Sequence, residues 1–114
     1  MKNEIQVLVG SRTKVNPSDI LMLKADTNYS NIYLVDGSIL MSATTLGILE
    51  DRLKDFNFYR THRSTLINLK YMAEIGKYNY DENFESIWIV NNMNIPVARR
   101  KMPDFLKTLQ KINL

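Results

Sequence analysis

The sequence predicts a mainly β fold, and three observations point that way. Apolar residues recur at every second position in several short runs, the spacing of half-buried strands. Polar turn signals separate those runs: Asp36-Gly37, the block Asp81-Glu82-Asn83, and Asn91-Asn92. Only two segments switch to helical spacing, one over residues 43–56 and one after Pro103. With 114 residues and no linker, internal repeat or low-complexity stretch, residues 1–114 are expected to form one domain. A domain of that size buries about two-thirds of the surface its unfolded chain exposes, so it folds without staples.

The elements follow in order. In "EIQVLVG", Ile5, Val7 and Val9 alternate with Gln6 and Leu8, which predicts a strand. "NPSDI" predicts a short helical turn: Asn16 caps it, Pro17 suits its first position and Asp19 favours its positive end. "ILMLKA" opens with four apolar residues, Ile20 to Leu23, as does a strand buried on both faces. "NIYLVDGSILM" predicts a hairpin turning at Asp36-Gly37, because both positions tolerate positive φ. Ile32 and Leu34 then face one side, and Tyr33 and Val35 the other. In "ATTLGILEDRLKDF", Leu46, Leu49, Leu53 and Phe56 form a helical stripe that Thr44 or Thr45 can cap. "YMAEIGKYNY" and "ESIWIV" read as two more strands joined through Asp81-Glu82-Asn83. Asn91-Asn92 turns into "NIPVA", an edge or terminating strand because Pro96 cannot donate to a ladder. "PDFLKTLQKI" closes the chain as a helix, with Phe105, Leu109 and Ile112 on its apolar face.

Composition removes several functions. There is no cysteine, so disulfides, thiolate nucleophiles and cysteine-ligated zinc are excluded. No charge-free apolar run is long enough to span a bilayer, and residues 1–20 lack the apolar block of a signal peptide. A cytoplasmic, bacterial-type protein with no membrane partner is the expectation. With a single histidine and no HExxH, GxSxG or P-loop spacing, no enzyme is predicted. Asp51/Asp55 falls on the solvent side of a predicted helix and Asp81/Glu82 in a turn, so neither pair is read as catalytic. No His/Asp/Glu cluster has metal-ligand spacing, and no cofactor is predicted.

The net charge of +3 and a pI near 9.2 bias the chain only modestly towards anionic partners. Distribution says more. Arg60, His62 and Arg63 form one basic cluster and Arg99, Arg100 and Lys101 another, while Glu50, Asp51 and Asp55 gather elsewhere. The stretch "FYRTHRSTLIN", Phe58 to Asn68, holds the first cluster between apolar ends. A strand with a polar outer face is the plain reading. If extended, however, the stretch is polar on both faces in its middle, which a packed strand avoids. An edge, a turn or an anionic partner fits better, since arginine presents a planar fork suited to phosphate or to guanine O6 and N7. "ADTNYSN", Ala25 to Asn31, offers Asn28, Ser30 and Asn31 on a connection before the hairpin; it either makes a turn or reads bases and phosphates. "VARRK", residues 97–101, is either a solvated basic turn or a phosphate site at a helix start.

Taken together, "NPSDILMLKADTNYSNIYLVDG", "TTLGILEDRL", "FYRTHRSTLINL" and "IPVARRK" resemble the LytTR family of bacterial DNA-binding domains over nearly the whole chain. The most specific phrase is the third, with its aromatic pair, Arg60, His62-Arg63-Ser64 and Leu66-Ile67-Asn68. The resemblance implies an elongated, antiparallel β-structure with short helices, and a transcription factor or response-regulator output domain that puts loops into successive major grooves of double-stranded DNA. Carried over by position, Ser30 or Asn31, Arg63 and Arg99 read bases, while Arg60, Arg100 and Lys101 hold phosphates. His62 either contacts DNA or packs behind Arg63. A homodimer on repeated sites is implied, as is a receiver or sensor domain, or a histidine kinase, upstream. Two other classes remain open. Single-stranded RNA would stack on Tyr29, Tyr33, Tyr78 and Tyr80. A protein partner would add a strand at the edge near Pro96.

Overall fold

The computed structural model describes residues 5–71, 77–79, 87–90 and 93–112. Ten strands and two α-helices are described, and residues 69–71 are also helical. A small ribbon, β1 (Val7–Leu8) with β2 (Lys14–Val15), leads into a five-stranded antiparallel sheet. That sheet holds β3 (Ile20–Asp26), β4 (Tyr29–Leu34), β5 (Ile39–Ser42), β6 (Phe58–His62) and β7 (Thr65–Asn68) in the order β5-β4-β3-β7-β6. A separate three-stranded sheet has the order β10-β9-β8, from β8 (Lys77–Asn79), β9 (Ile87–Val90) and β10 (Met93–Pro96). Helix α1 (Leu46–Arg52) connects β5 to β6, and α2 (Met102–Ile112) follows β10.

The central position of β3 explains its unbroken apolar run. Leu46, Leu49 and Leu53 cover one face of the sheet together with Val9 and Val15, packing on Ile20, Leu23, Ile32 and Leu66. Phe105 and Leu109 of α2, with Ile95 and Val97, cover the other face over Leu21, Met22 and Ile67. A bulge at Leu21 puts two consecutive residues, Leu21 and Met22, on the same side. The sheet is therefore the middle layer of three, and its central strands must be apolar on both faces.

Local chemistry fixes the connections. Pro17–Asp19 is a 3-10 turn whose cap, Asn16, accepts from the Ser18 N–H at 3.0 Å. The β4–β5 connection is a four-residue loop, Val35 to Ser38, rather than the expected two-residue turn. Leu34 N–H donates to Ser38 O at 2.9 Å, Gly37 takes φ +93°, and the Asp36 carboxylate accepts from the Ser38 N–H and hydroxyl. Those bonds lower the Asp36 pKa, the hydroxyl first. Val35 therefore leaves the strand.

The predicted helix over residues 43–56 divides into α1 and a 3-10 turn, Lys54–Phe56, ended by Asn57 in the left-handed region. Thr45 occupies the cap position but makes no side-chain cap bond. "EIQVLVG" pairs only at Val7–Leu8, and Tyr71 is helical rather than the start of a strand. The Asp81-Glu82-Asn83 and Asn91-Asn92 turns lie outside the described residues. Pro96 ends β10, an edge strand, as its missing N–H requires. No described helix is long and apolar enough to cross a membrane.

Candidate nucleic-acid interface

The stretch "FYRTHRSTLIN" is a hairpin. β6 and β7 close on the pair His62↔Thr65, leaving Arg63 and Ser64 as a two-residue turn at the sheet's corner. A bulge at Thr61, next to this turn, resolves the two-faced polarity of the sequence. Arg60 pairs with Leu66 and turns to the α1 side, while Tyr59 pairs with Ile67 and packs on the α2 side. Thr61 is fully buried, and among the described residues its hydroxyl has no hydrogen-bond partner. Its carbonyl accepts from Ala98 N–H at 2.8 Å.

Each basic group has a distinct setting. Arg60 uses its whole fork within the protein. Nε donates to His62 O at 3.1 Å, one terminal nitrogen to Glu50 Oε1 at 2.7 Å, and the other to Arg63 O. His62 Nδ1 lies 2.8 Å from the Ser64 hydroxyl and accepts from the Ser64 N–H at 3.2 Å. With Nδ1 an acceptor, the ring proton sits on Nε2. Arg63 is exposed at the turn, and among the described residues its guanidinium has no hydrogen-bond or ion-pair partner. Arg99 and Arg100 are exposed on a 3-10 turn, Arg99–Lys101, that runs directly into α2. Lys101 donates to Arg60 O at 2.8 Å. The third basic segment is therefore fastened to β6 twice, through Ala98 and through Lys101. Arg60, His62, Arg63, Arg100 and Lys101 line one open cleft of about 590 Å³ with Glu50 and Ala98.

One expectation needs correction. Ser30 is not on a loop. It lies in β4, is 0% exposed and donates to Thr44 O at 2.8 Å, so it has no route to a base. The loop is shorter than expected and is formed by Thr27 and Asn28 between the paired Asp26 and Tyr29. Arg60, expected to hold phosphate, has each of its three guanidinium nitrogens bonded within the protein, to Glu50 and to the carbonyls of His62 and Arg63. Asn31, by contrast, is half-buried on the opposite side of β4 from Ser30.

Sequence reasoning missed two residues here. The register sets Asn31 opposite Lys24, Lys24 opposite Thr65, and Thr65 opposite His62, so Lys24 joins a polar cross-strand row. Placing the hairpin tip at Thr27-Asn28 would have revealed that pairing. Glu50, the partner of Arg60, carries no comparable signal, because ten residues and a change of element separate the two.

Behind the turn, the apolar ends do what their sequence suggested. Leu66 and Ile67 are buried, and the Tyr59 ring lies 5.3 Å from that of Phe105. The Tyr59 hydroxyl donates to the Asp104 carboxylate at 2.6 Å; burial and that carboxylate raise its pKa well above the ordinary tyrosine range. Buried Asn68 donates to Ile20 O at 2.9 Å and accepts from Lys70 N–H at 3.0 Å, tying β7 to the start of β3.

Comparison with known proteins agrees with this architecture. The family model for the LytTr DNA-binding domain matches residues 10–110. The chain is 30% identical over 95 residues to the sensory transduction protein LytT of Bacillus subtilis strain 168, covering 83% of this chain and 38% of that protein. It is 27% identical over 95 residues to the protein of the same name from Enterococcus faecalis, with the same coverage. The chain thus spans well under half the length of these relatives. A solved LytTr DNA-binding domain from Bacillus cereus superposes with a TM-score of 0.71 at 20% identity, covering 96% of this chain and 98% of that one. The chain belongs to the LytTr DNA-binding domain family, a family of binding domains and not of enzymes.

Proposed function

We propose that residues 1–114 act as one DNA-reading unit, the output domain of a bacterial transcriptional regulator in the cytoplasm. The observation that carries this reading is the cleft where Arg63 and Arg100, from distant segments, lie beside His62 and Lys101. Arg63 is the base reader: its exposed fork matches two guanine acceptors at once. Asn31 and Arg99 read from either side, and His62 presents its Nε2–H. Arg100 and Lys101 hold phosphates, and Lys24 adds a further cation. The long axis of 43 Å exceeds the roughly 34 Å of one duplex turn, so one copy has the reach for successive grooves. Two copies would occupy repeated half-sites. A receiver or sensor domain, answering to a histidine kinase, would supply the signal, in keeping with the LytT relatives being named sensory transduction proteins.

RNA stacking is less well supported. Tyr33 packs against the core and is not free to stack, whereas Tyr29 alone of the described pair is well exposed. Selection of duplexes from a random pool tests the proposal. Enrichment of a short motif, repeated at about one helical turn, is expected. Preference for single strands, or no enrichment at all, would reject it.

A further inference from the structure

An acid in a cleft meant for polyanions is a liability unless it does something there. Glu50 is such an acid: it lines the cleft with Arg63 and Arg100. Its carboxylate lies 2.7 Å from the Arg60 guanidinium, which in turn donates to the carbonyls of both His62 and Arg63. Glu50 sits on α1, with Leu49 and the capping Leu53 buried in the core on either side of it in sequence. A chain of contacts thus runs from the core through Glu50 and Arg60 to the backbone of the turn that carries Arg63.

We propose that Glu50 is a positioning residue for sequence discrimination, acting through Arg60 on the aim of Arg63. This rests on the reading of Arg63 as a base reader. The pair contributes little to folding, because its side chains are 20% and 45% exposed, and ion pairs of that exposure are weak. Its contribution is geometric. Two carbonyls held by one planar fork fix the turn's peptide planes, and lysine cannot replace the fork. Glu50 opposes DNA by its charge and supports recognition by its geometry, so the two effects separate on different duplexes.

The test is a set of titrations with the whole chain on its selected duplex and on a random duplex, with thermal melts alongside. Glu50→Ala is expected to bind random duplex as well as wild type or better, because a negative charge is gone. On the selected duplex it is expected to lose about tenfold, the scale of one misdirected bidentate contact. Glu50→Gln keeps an oxygen acceptor for Arg60 and is expected to restore most of the discrimination. Arg60→Lys keeps the charge, loses the fork and is expected to behave like Glu50→Ala; it also serves if Glu50→Ala fails to fold. Equal tightening on both duplexes for Glu50→Ala, or unchanged discrimination in Arg60→Lys, overturns the proposal. A wild-type chain with no sequence preference overturns the underlying reading and the proposal together, and that result is visible before any variant is made.

Discussion

At the scale of single residues, the division between reading and clamping can be measured. Arg63→Ala is expected to cost about 1–3 kcal/mol on the selected duplex and much less on random duplex, since Arg99, Arg100 and Lys101 survive. Equal losses on both would reclassify Arg63 as a phosphate clamp. Ser30 gives the opposite test. Its buried hydroxyl donates to Thr44 O, so Ser30→Ala should lower stability by about 1 kcal/mol and leave the selected motif unchanged. A changed base at one motif position would return Ser30 to the readers. The sequence nominated Arg63 through its family resemblance, which carries a base-reading role to that position. It could not separate Ser30 from Asn31. In a strand, neighbours point to opposite faces, and the choice depends on register, which is set by a hairpin tip at Thr27-Asn28. Arg60 was illegible for a similar reason: its partners are Glu50 and two backbone carbonyls, and no spacing rule announces them.

At the scale of elements, the strongly patterned segments matched their sequence. The four apolar residues of β3 lie at the centre of the sheet, and the Leu46-Leu49-Leu53 stripe packs as spaced. What the pattern could not supply was where α2 docks, because an apolar stripe does not name its target. The structure seats it on β6 through the Tyr59–Phe105 ring contact and the Tyr59–Asp104 hydrogen bond. That bond makes the docking sensitive to alkali. The folded state holds the Tyr59 proton more tightly than the unfolded chain does, so the bond's contribution is full below about pH 10 and is lost as pH rises beyond it. Tyr59→Phe removes this dependence. In denaturant titrations from pH 8 to 11, the stability difference between wild type and Tyr59→Phe should shrink as pH rises. A constant difference would show that the hydroxyl does not report on its Asp104 partner.

For the whole molecule, the question is why three distant segments share a face. The five-stranded sheet brings Asn31 and Lys24 into register with the β6–β7 turn, and two bonds from Ala98 and Lys101 to β6 fasten the third segment beside it. The basic groups of the cleft are therefore assembled by folding, although the chain's net charge is only +3. That makes the electrostatic share of binding countable. Arg60 is left out of the count, since each of its guanidinium nitrogens is bonded within the protein. Arg63 and Arg99 are read as base contacts, which leaves Arg100 and Lys101 on phosphates, so the log–log salt slope on duplex DNA should be about −1.8, at roughly 0.9 per phosphate. Lys24 would steepen it towards about −2.7 if it reaches a phosphate as well. Arg100→Ala should weaken selected and random duplexes by similar factors and flatten the slope by about 0.9, because a phosphate contact carries no sequence information. Arg60→Lys provides the internal control: a residue that shapes the turn should leave the slope unchanged while altering discrimination. Titrations at four or five salt concentrations distinguish these cases. A slope near zero would mean that the assembled basic face does not meet phosphate, and the cleft would then have to serve a different partner.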